Sequence, residues 1–224
     1  MILALVLLLA QPLPVAAGQR TVHASGEGRV SAAPDIARVT VGVEAQDPSL
    51  ARASADATAR MKKVTATLEK AGIAAKDVRT VRYTVDAQRS FEKGAPGVVV
   101  GYQVVNEVLV TVRDLSRLGA LLDQVVAAGG NAVSGLSLDK DDTSAERARA
   151  LEHAMSDARA KAAVLAKAAG ASLGEALQVN EVTRPAVVPL AYSAIRARAP
   201  TQDVPVSAGE LEIVATVEVT FALR

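Results

Sequence analysis

The sequence predicts an α+β fold: a mixed, mainly antiparallel sheet with three helices packed on one face. Two observations predict it. Several stretches alternate apolar and polar residues one by one, as half-buried strands do. Three others space apolar residues three and four apart between capping residues and glycines, as amphipathic helices do. Sheets that are polar on one face are typically antiparallel or mixed, with helices on the other face.

Weak strand signals lie near residues 20–30. Val39, Val41 and Val43 then alternate with Arg38, Thr40 and Glu44 in a clear strand. A first helix follows, with Asp47 as N-cap and Pro48 in the first helical position. Its stripe is Leu50, Ala57, Met61, Val64 and Leu68, and it ends at Gly72. Val81, Tyr83 and Val85 alternate with Arg82, Thr84 and Asp86, and Tyr102, Val104, Val108, Val110 and Val112 continue the pattern in a longer strand. The second helix starts at Asp114, buries Leu115, Leu118, Leu122 and Val125, and stops at Gly129-Gly130. A weaker strand covers 132–139. Thr143 and Glu146 form a capping box for the third helix, whose stripe is Ala148, Leu151, Met155, Ala158, Ala162 and Leu165 before Gly170. Another weak strand spans 175–183. In the last strand Leu211, Ile213, Ala215, Val217, Val219, Phe221 and Leu223 point one way. The order is β-β-α-β-β-α-β-α-β-β.

Ile2 to Ala10 form an uncharged apolar run, followed by Pro12, Pro14 and Val15-Ala16-Ala17. A hydrophobic run, helix-breaking prolines and small residues describe a secretory signal peptide cleaved after Ala17, although no basic residue precedes Arg20. The run is shorter than the roughly 20 apolar residues that a membrane span needs, and no later stretch approaches that length. Residues 18–224 then form one domain, because no linker divides the strand pattern. The chain contains no cysteine, which excludes disulfides and thiol chemistry. Lys+Arg 25 against Asp+Glu 24, with two Phe, three Tyr and no Trp, supply neither a basic track nor stacking platforms, so nucleic acid is not an expected partner.

No motif in the chain carries a catalytic reading. Gly170-Ala171-Ser172-Leu173-Gly174 matches the G-x-S-x-G of a nucleophile elbow, but it closes a helix and precedes a strand, the reverse of an elbow. Gly170 reads as a helix C-cap and Gly174 as a turn. Gly26-Glu27-Gly28 lacks the third glycine and the following helix of a dinucleotide loop, so its glycines read as sites of close backbone approach or a bulge. Asp139, Asp141 and Asp142 lack the glycine and distal glutamate of a calcium loop and complement a helix N-terminus instead. His23 and His153 have no second His or Cys near them in sequence. The expected catalytic, cofactor and metal residues are therefore none.

Ser25-Gly26-Glu27-Gly28, Pro34-Asp35, Gly101-Tyr102 and Gly209-Glu210-Leu211 occur in this order, with an Asp157-Ala158-Arg159-Ala160-Lys161-Ala162 helix between the last two. Together they resemble the SIMPL-domain family of bacterial envelope proteins, over a stretch from about Val22 to the C-terminus. The resemblance implies a periplasmic protein akin to those linked to oxidative-stress defence and to periplasmic immunogenic proteins. It implies no site residues, since no agreed catalytic or ligand-binding residue defines the family.

The expectation is thus a non-enzymatic periplasmic protein, an assembly or binding module in oxidative-stress defence. A site formed at a subunit interface or by the segment 184–208 is the enzymatic alternative. That segment holds Pro185, Pro189, Pro200 and Pro205 with Tyr192 and Ile195, and exceeds ordinary loop lengths, which marks an interaction surface. Self-association is expected through the terminal strand, read as a sheet edge, and through the alanine-rich third helix. An envelope protein is a further expected partner.

Overall fold

The computed structural model describes residues 19–91, 97–182, 187–189 and 209–224. Residues 1–17, read above as a signal peptide, and most of the segment 184–208, with Tyr192 and Ile195, lie outside the described residues. The elements are β1 (Thr21–Ala32), β2 (Ile36–Asp47), α1 (Leu50–Lys70), β3 (Val78–Ser90), β4 (Val98–Val112), α2 (Leu118–Ala127), β5 (Ala132–Asp139), α3 (Ser144–Ala168), β6 (Leu173–Val182), β7 (Val187–Pro189) and β8 (Leu211–Leu223). The class is α+β and the order is the one read above, with the three-residue β7 added.

The single sheet predicted from sequence is two. One has the order β3-β4-β2-β5, and the other runs β1-β8-β6 with β7 also pairing β8. Alternation says which face of a strand is buried but nothing of which strand lies beside it. The described residues group into two compact units, one from within 1–29, 148–185 and 214–224, the other from within 30–147 and 186–213.

In the second unit, β2 and β4 pair antiparallel from Ala37 opposite Val112 to Asp47 opposite Tyr102. Their inward valines, Val39, Val41, Val43, Val104, Val108 and Val110, meet Ala57, Met61, Val64 and Leu68 of α1 and Leu118, Leu121 and Val125 of α2. The α1 stripe is as predicted from Ala57 onward, but Leu50 is exposed and Ala53 is buried in the first turn. The N-cap is Ser49, two residues later than Asp47, so Pro48 precedes the helix. Asp47 instead accepts a 2.6 Å hydrogen bond from the Ser49 amide. Asp114 accepts from the Ser116 amide and starts a 3-10 turn, Leu115–Arg117, before α2 proper. Gly72 and Gly129 both take positive φ, which lets each helix end in the left-handed turn that glycine adopts without strain.

In the first unit, β8 is central between β1 and β6, not an edge. Val217, Val219 and Phe221 of β8 pack on α3, with Leu151, Met155 and Leu173 partly buried around them. The buried row of α3 is Ala150, Ala154, Ala158, Ala162 and Ala166, strictly four apart. This corrects the predicted stripe, in which Ala148 and Leu165 were inward; Leu165 is exposed. The larger side chains were chosen for hydrophobicity, whereas the contact selects for smallness.

Candidate functional site

The residues singled out in the sequence come together along β1 and α3. A Cβ added at Gly26 would lie 2.0 Å from the Ala154 carbonyl oxygen, and one at Gly28 2.0 Å from that of Ala150. Backbone thus meets backbone, which only glycine allows on one side and only small residues on the other. Asp157 of the helical motif accepts a 2.9 Å hydrogen bond from the Glu27 amide. It also accepts 2.7 Å from Lys161, whose ammonium reaches the Ser25 carbonyl at 3.3 Å. Two of the sequence motifs are therefore halves of one packing joint. Nothing in it is a nucleophile.

The other motifs are equally structural. Gly170 takes positive φ at the end of α3. Ser172 exchanges backbone hydrogen bonds with Arg224, its amide donating at 2.7 Å and its carbonyl accepting at 2.9 Å. Gly174 is a strand residue and not a turn: a Cβ there would lie 2.9 Å from the Ala222 carbonyl on β8. Asp35 accepts from the Asp141 amide at 2.7 Å and from Lys140 at 3.2 Å. Of the three carboxylates read as complementing a helix N-terminus, only Asp142 meets the α3 start, accepting from the Ser144 amide. Asp139 pairs with Arg38, and Asp141 with Arg113. His153 is exposed, as predicted, with Nδ1 3.3 Å from the Arg29 carbonyl oxygen. His23 Nδ1 sits 2.8 Å from the Thr220 hydroxyl.

A concave site lies within the second unit, where the end of α1, the turn Ala75–Asp77, the end of β4 and α2 converge. It has a volume of about 270 Å³, with Ile73, Ala74, Ala120 and Leu121 forming apolar walls. At its rim Arg113 grips Asp77 in a fork, Nε at 3.0 Å and a terminal nitrogen at 2.9 Å. Its remaining nitrogen donates to Asp141 at 2.5 Å. All three guanidinium nitrogens are thereby engaged, and no lining residue pairs a nucleophile with a base. Among the described residues no cluster of three His, Cys, Asp or Glu could hold a metal.

The Arg113 fork holds the Asp77 carboxyl below the ordinary carboxylate range. The Asp141 amide and Lys140 do the same for Asp35, and Lys161 and the Glu27 amide for Asp157. A depressed folded pKa contributes stability that is complete above the unfolded value, near 3.8, and is lost as pH falls through the folded value. Melting temperature should therefore drop as pH is lowered below about 4. The D77N variant, scanned calorimetrically over the same series, should show a shallower acid drop; an unchanged acid slope would contradict the role of the fork.

The least expected surface is β3. It is the edge of its sheet, and Val81, Tyr83 and Val85, predicted to face inward, are exposed. Tyr83 stands opposite Asn106 and Val85 opposite the buried Val104, so both lie on the sheet face that carries the helices, beyond the area α1 and α2 cover. Phe91 and Val98 to Val100 extend the exposed apolar surface to the end of the β3–β4 hairpin, Tyr83 being 57% and Phe91 75% exposed. The sequence carried a signal for this. With Arg79, Arg82, Asp86 and Arg89, β3 has more charged residues than any other described strand, as edge strands tend to.

Comparison with known sequences agrees with these motifs. A 26 kDa periplasmic immunogenic protein of Brucella melitensis is 32% identical over 214 residues, covering 91% of this chain and 84% of that protein. Its namesake in Brucella abortus strain S19 matches equally, at 32% over 214 residues. An uncharacterized protein YggE of Edwardsiella ictaluri is 29% identical over 159 residues, 71% of this chain and 66% of its own length. No helix among the described residues is long and apolar enough to cross a membrane. The family described as SIMPL, protein of unknown function (DUF541), matches residues 22–221, nearly all that the structure describes, and this chain belongs to it.

Proposed function

We propose that this protein is a non-enzymatic assembly module of the periplasm, exported by cleavage after Ala17, which contributes to oxidative-stress defence by holding copies of itself, or an envelope partner, together. The observation that carries the assembly reading is the exposed apolar face of β3 and the hairpin end, Tyr83 and Val85 with Val98 and Val100 on the same face and Phe91 at its end. A contiguous apolar patch beside an unpaired strand edge favours partner binding. Of the three features first read as interfaces, the segment 184–208 lies mostly outside the described residues, β8 is central, and the alanine row of α3 is spent on β1 and β8. The oxidative-stress part rests on the family resemblance alone, and the periplasmic part also on the names of the Brucella relatives.

Sedimentation velocity at micromolar concentration should show a species heavier than the monomer, and a Y83S/V85S variant should shift it toward monomer. A single monomeric species for the unaltered chain would sink the assembly reading. N-terminal sequencing of protein recovered from the periplasm should begin at Gly18. Purified protein should not turn over peroxide above a heat-unfolded control; steady turnover would overturn the non-enzymatic part.

A further inference from the structure

The geometry points to a specific self-association: two copies join their β3 strands antiparallel, on a two-fold axis through Thr84, making one continuous sheet. This rests on the assembly reading above and adds the partner, the strand and the register.

An antiparallel strand pair related by a two-fold axis keeps the same sheet face up in both copies, so the axis passes midway between the two copies of one residue, which face each other, and residue i pairs with its mirror position about that residue. The regular part of β3 is bounded by two irregularities in its pairing with β4, one between Thr80 and Arg82, the other between Gln88 and Arg89. Within that run the axis could fall on any residue from 82 to 88. Only at Thr84 does Arg82 stand opposite Asp86 of the other copy, and by symmetry this happens twice. The same register sets Tyr83 against Val85, also twice, on the face that carries the helices. The aromatic and β-branched pairs are of the kind that stabilise sheets, and the charges are opposite in sign.

The charged residues are available for this. The Asp86 carboxylate has no side-chain hydrogen bond or ion pair among the described residues, and the Arg82 guanidinium reaches Glu107 at 3.9 Å. The one unfavourable coincidence of the register, Arg79 opposite Arg89, falls beyond both irregularities, where the ladder is already broken. Placing the axis on Asp86 would set like charges face to face, and on Val85 would leave Arg82 opposite Gln88.

The test is a charge-reversal cycle read by sedimentation equilibrium on the full chain. D86R sets two guanidinium groups opposite each other at both symmetric positions and should raise the dimer dissociation constant at least tenfold. R82D/D86R restores opposite signs and should return the dissociation constant to within about threefold of the original. Because the chain has no cysteine, T84C supplies a second arm. Its thiol should meet its own counterpart and give a disulfide-linked dimer under mild oxidation, whereas R79C should not. Self-association that ignores D86R, without T84C cross-linking, overturns this register and leaves the assembly reading intact; a chain that is monomeric throughout overturns both.

Discussion

Replacing Gly26 with alanine is expected to destabilise the first unit by about 3 kcal/mol, at the upper end of the usual range for overpacking. The added carbon would sit 2.0 Å from the Ala154 oxygen, 2.5 Å from the Ala158 nitrogen and 2.8 Å from the Ala158 Cβ. None of these is the far end of a flexible side chain. The strand or the helix has to move as a body, and moving it also lengthens the Asp157 to Glu27 hydrogen bond. At roughly 2–4 °C per kcal/mol for a chain of this size, the melting transition should fall by about 6–12 °C. Gly119→Ala is the matched control. Nothing lies within 4 Å of that position, which is inside α2 at an ordinary φ, so alanine there should stabilise by about 0.5–1 kcal/mol. Equal melting points for G26A and the unaltered chain would remove the close-approach account of the Ser25-Gly26-Glu27-Gly28 motif.

Phe221→Ala should cost about 3–5 kcal/mol, the usual range for a truncated core aromatic. Phe221 is the largest fully buried side chain described, 1% exposed, and it sits in a core whose helical side is alanine. An alanine row buries little area per residue, so β8 supplies most of the apolar volume of that core. No neighbouring alanine can swing in to fill the space, and the cavity should persist. Denaturant titration should show a lower midpoint, with loss at the low end of the range only if the helix collapses onto the sheet. A shift under 1 kcal/mol would mean that the core is held by something other than β8.

The sequence made some of this legible and hid the rest for identifiable reasons. The strand β8 was readable because seven apolar residues alternate without a break, and the burial of Leu211 through Phe221 follows that alternation. Helix α1 was readable because Ala57, Met61, Val64 and Leu68 follow the helical period with side chains large enough to register as hydrophobic. Helix α3 was read only in part for the converse reason: Ala158 and Ala162 are buried as predicted with Leu151 and Met155 flanking them, but Ala148 and Leu165 face out and the contact row is completed by the blander Ala150, Ala154 and Ala166. Strand β3 was misread because Val81, Tyr83 and Val85 alternate as a buried strand would. Alternation records apolar sides, not whether the protein's own helices reach far enough to cover them. The concave site bounded by Arg113 and Asp77 left no trace, since its parts come from four elements and neither residue stands in a recognisable motif.

The four-residue spacing of the alanines in α3 has a consequence for registry. A helix with the same small side chain at Ala150, Ala154, Ala158 and Ala162 presents nearly the same surface after sliding by four residues, a translation of about 6 Å. Apolar packing alone would leave such a helix with near-degenerate seatings. What distinguishes them is polar and singular: Asp157 is the carboxylate that meets the Glu27 amide, and a slide of one step would bring His153 or Lys161 to that amide instead. Neither offers a charged acceptor. One acidic side chain therefore acts as the detent of a sliding joint, and its substitution by alanine should give doubled backbone amide signals for β1 by nuclear magnetic resonance, with helix content unchanged.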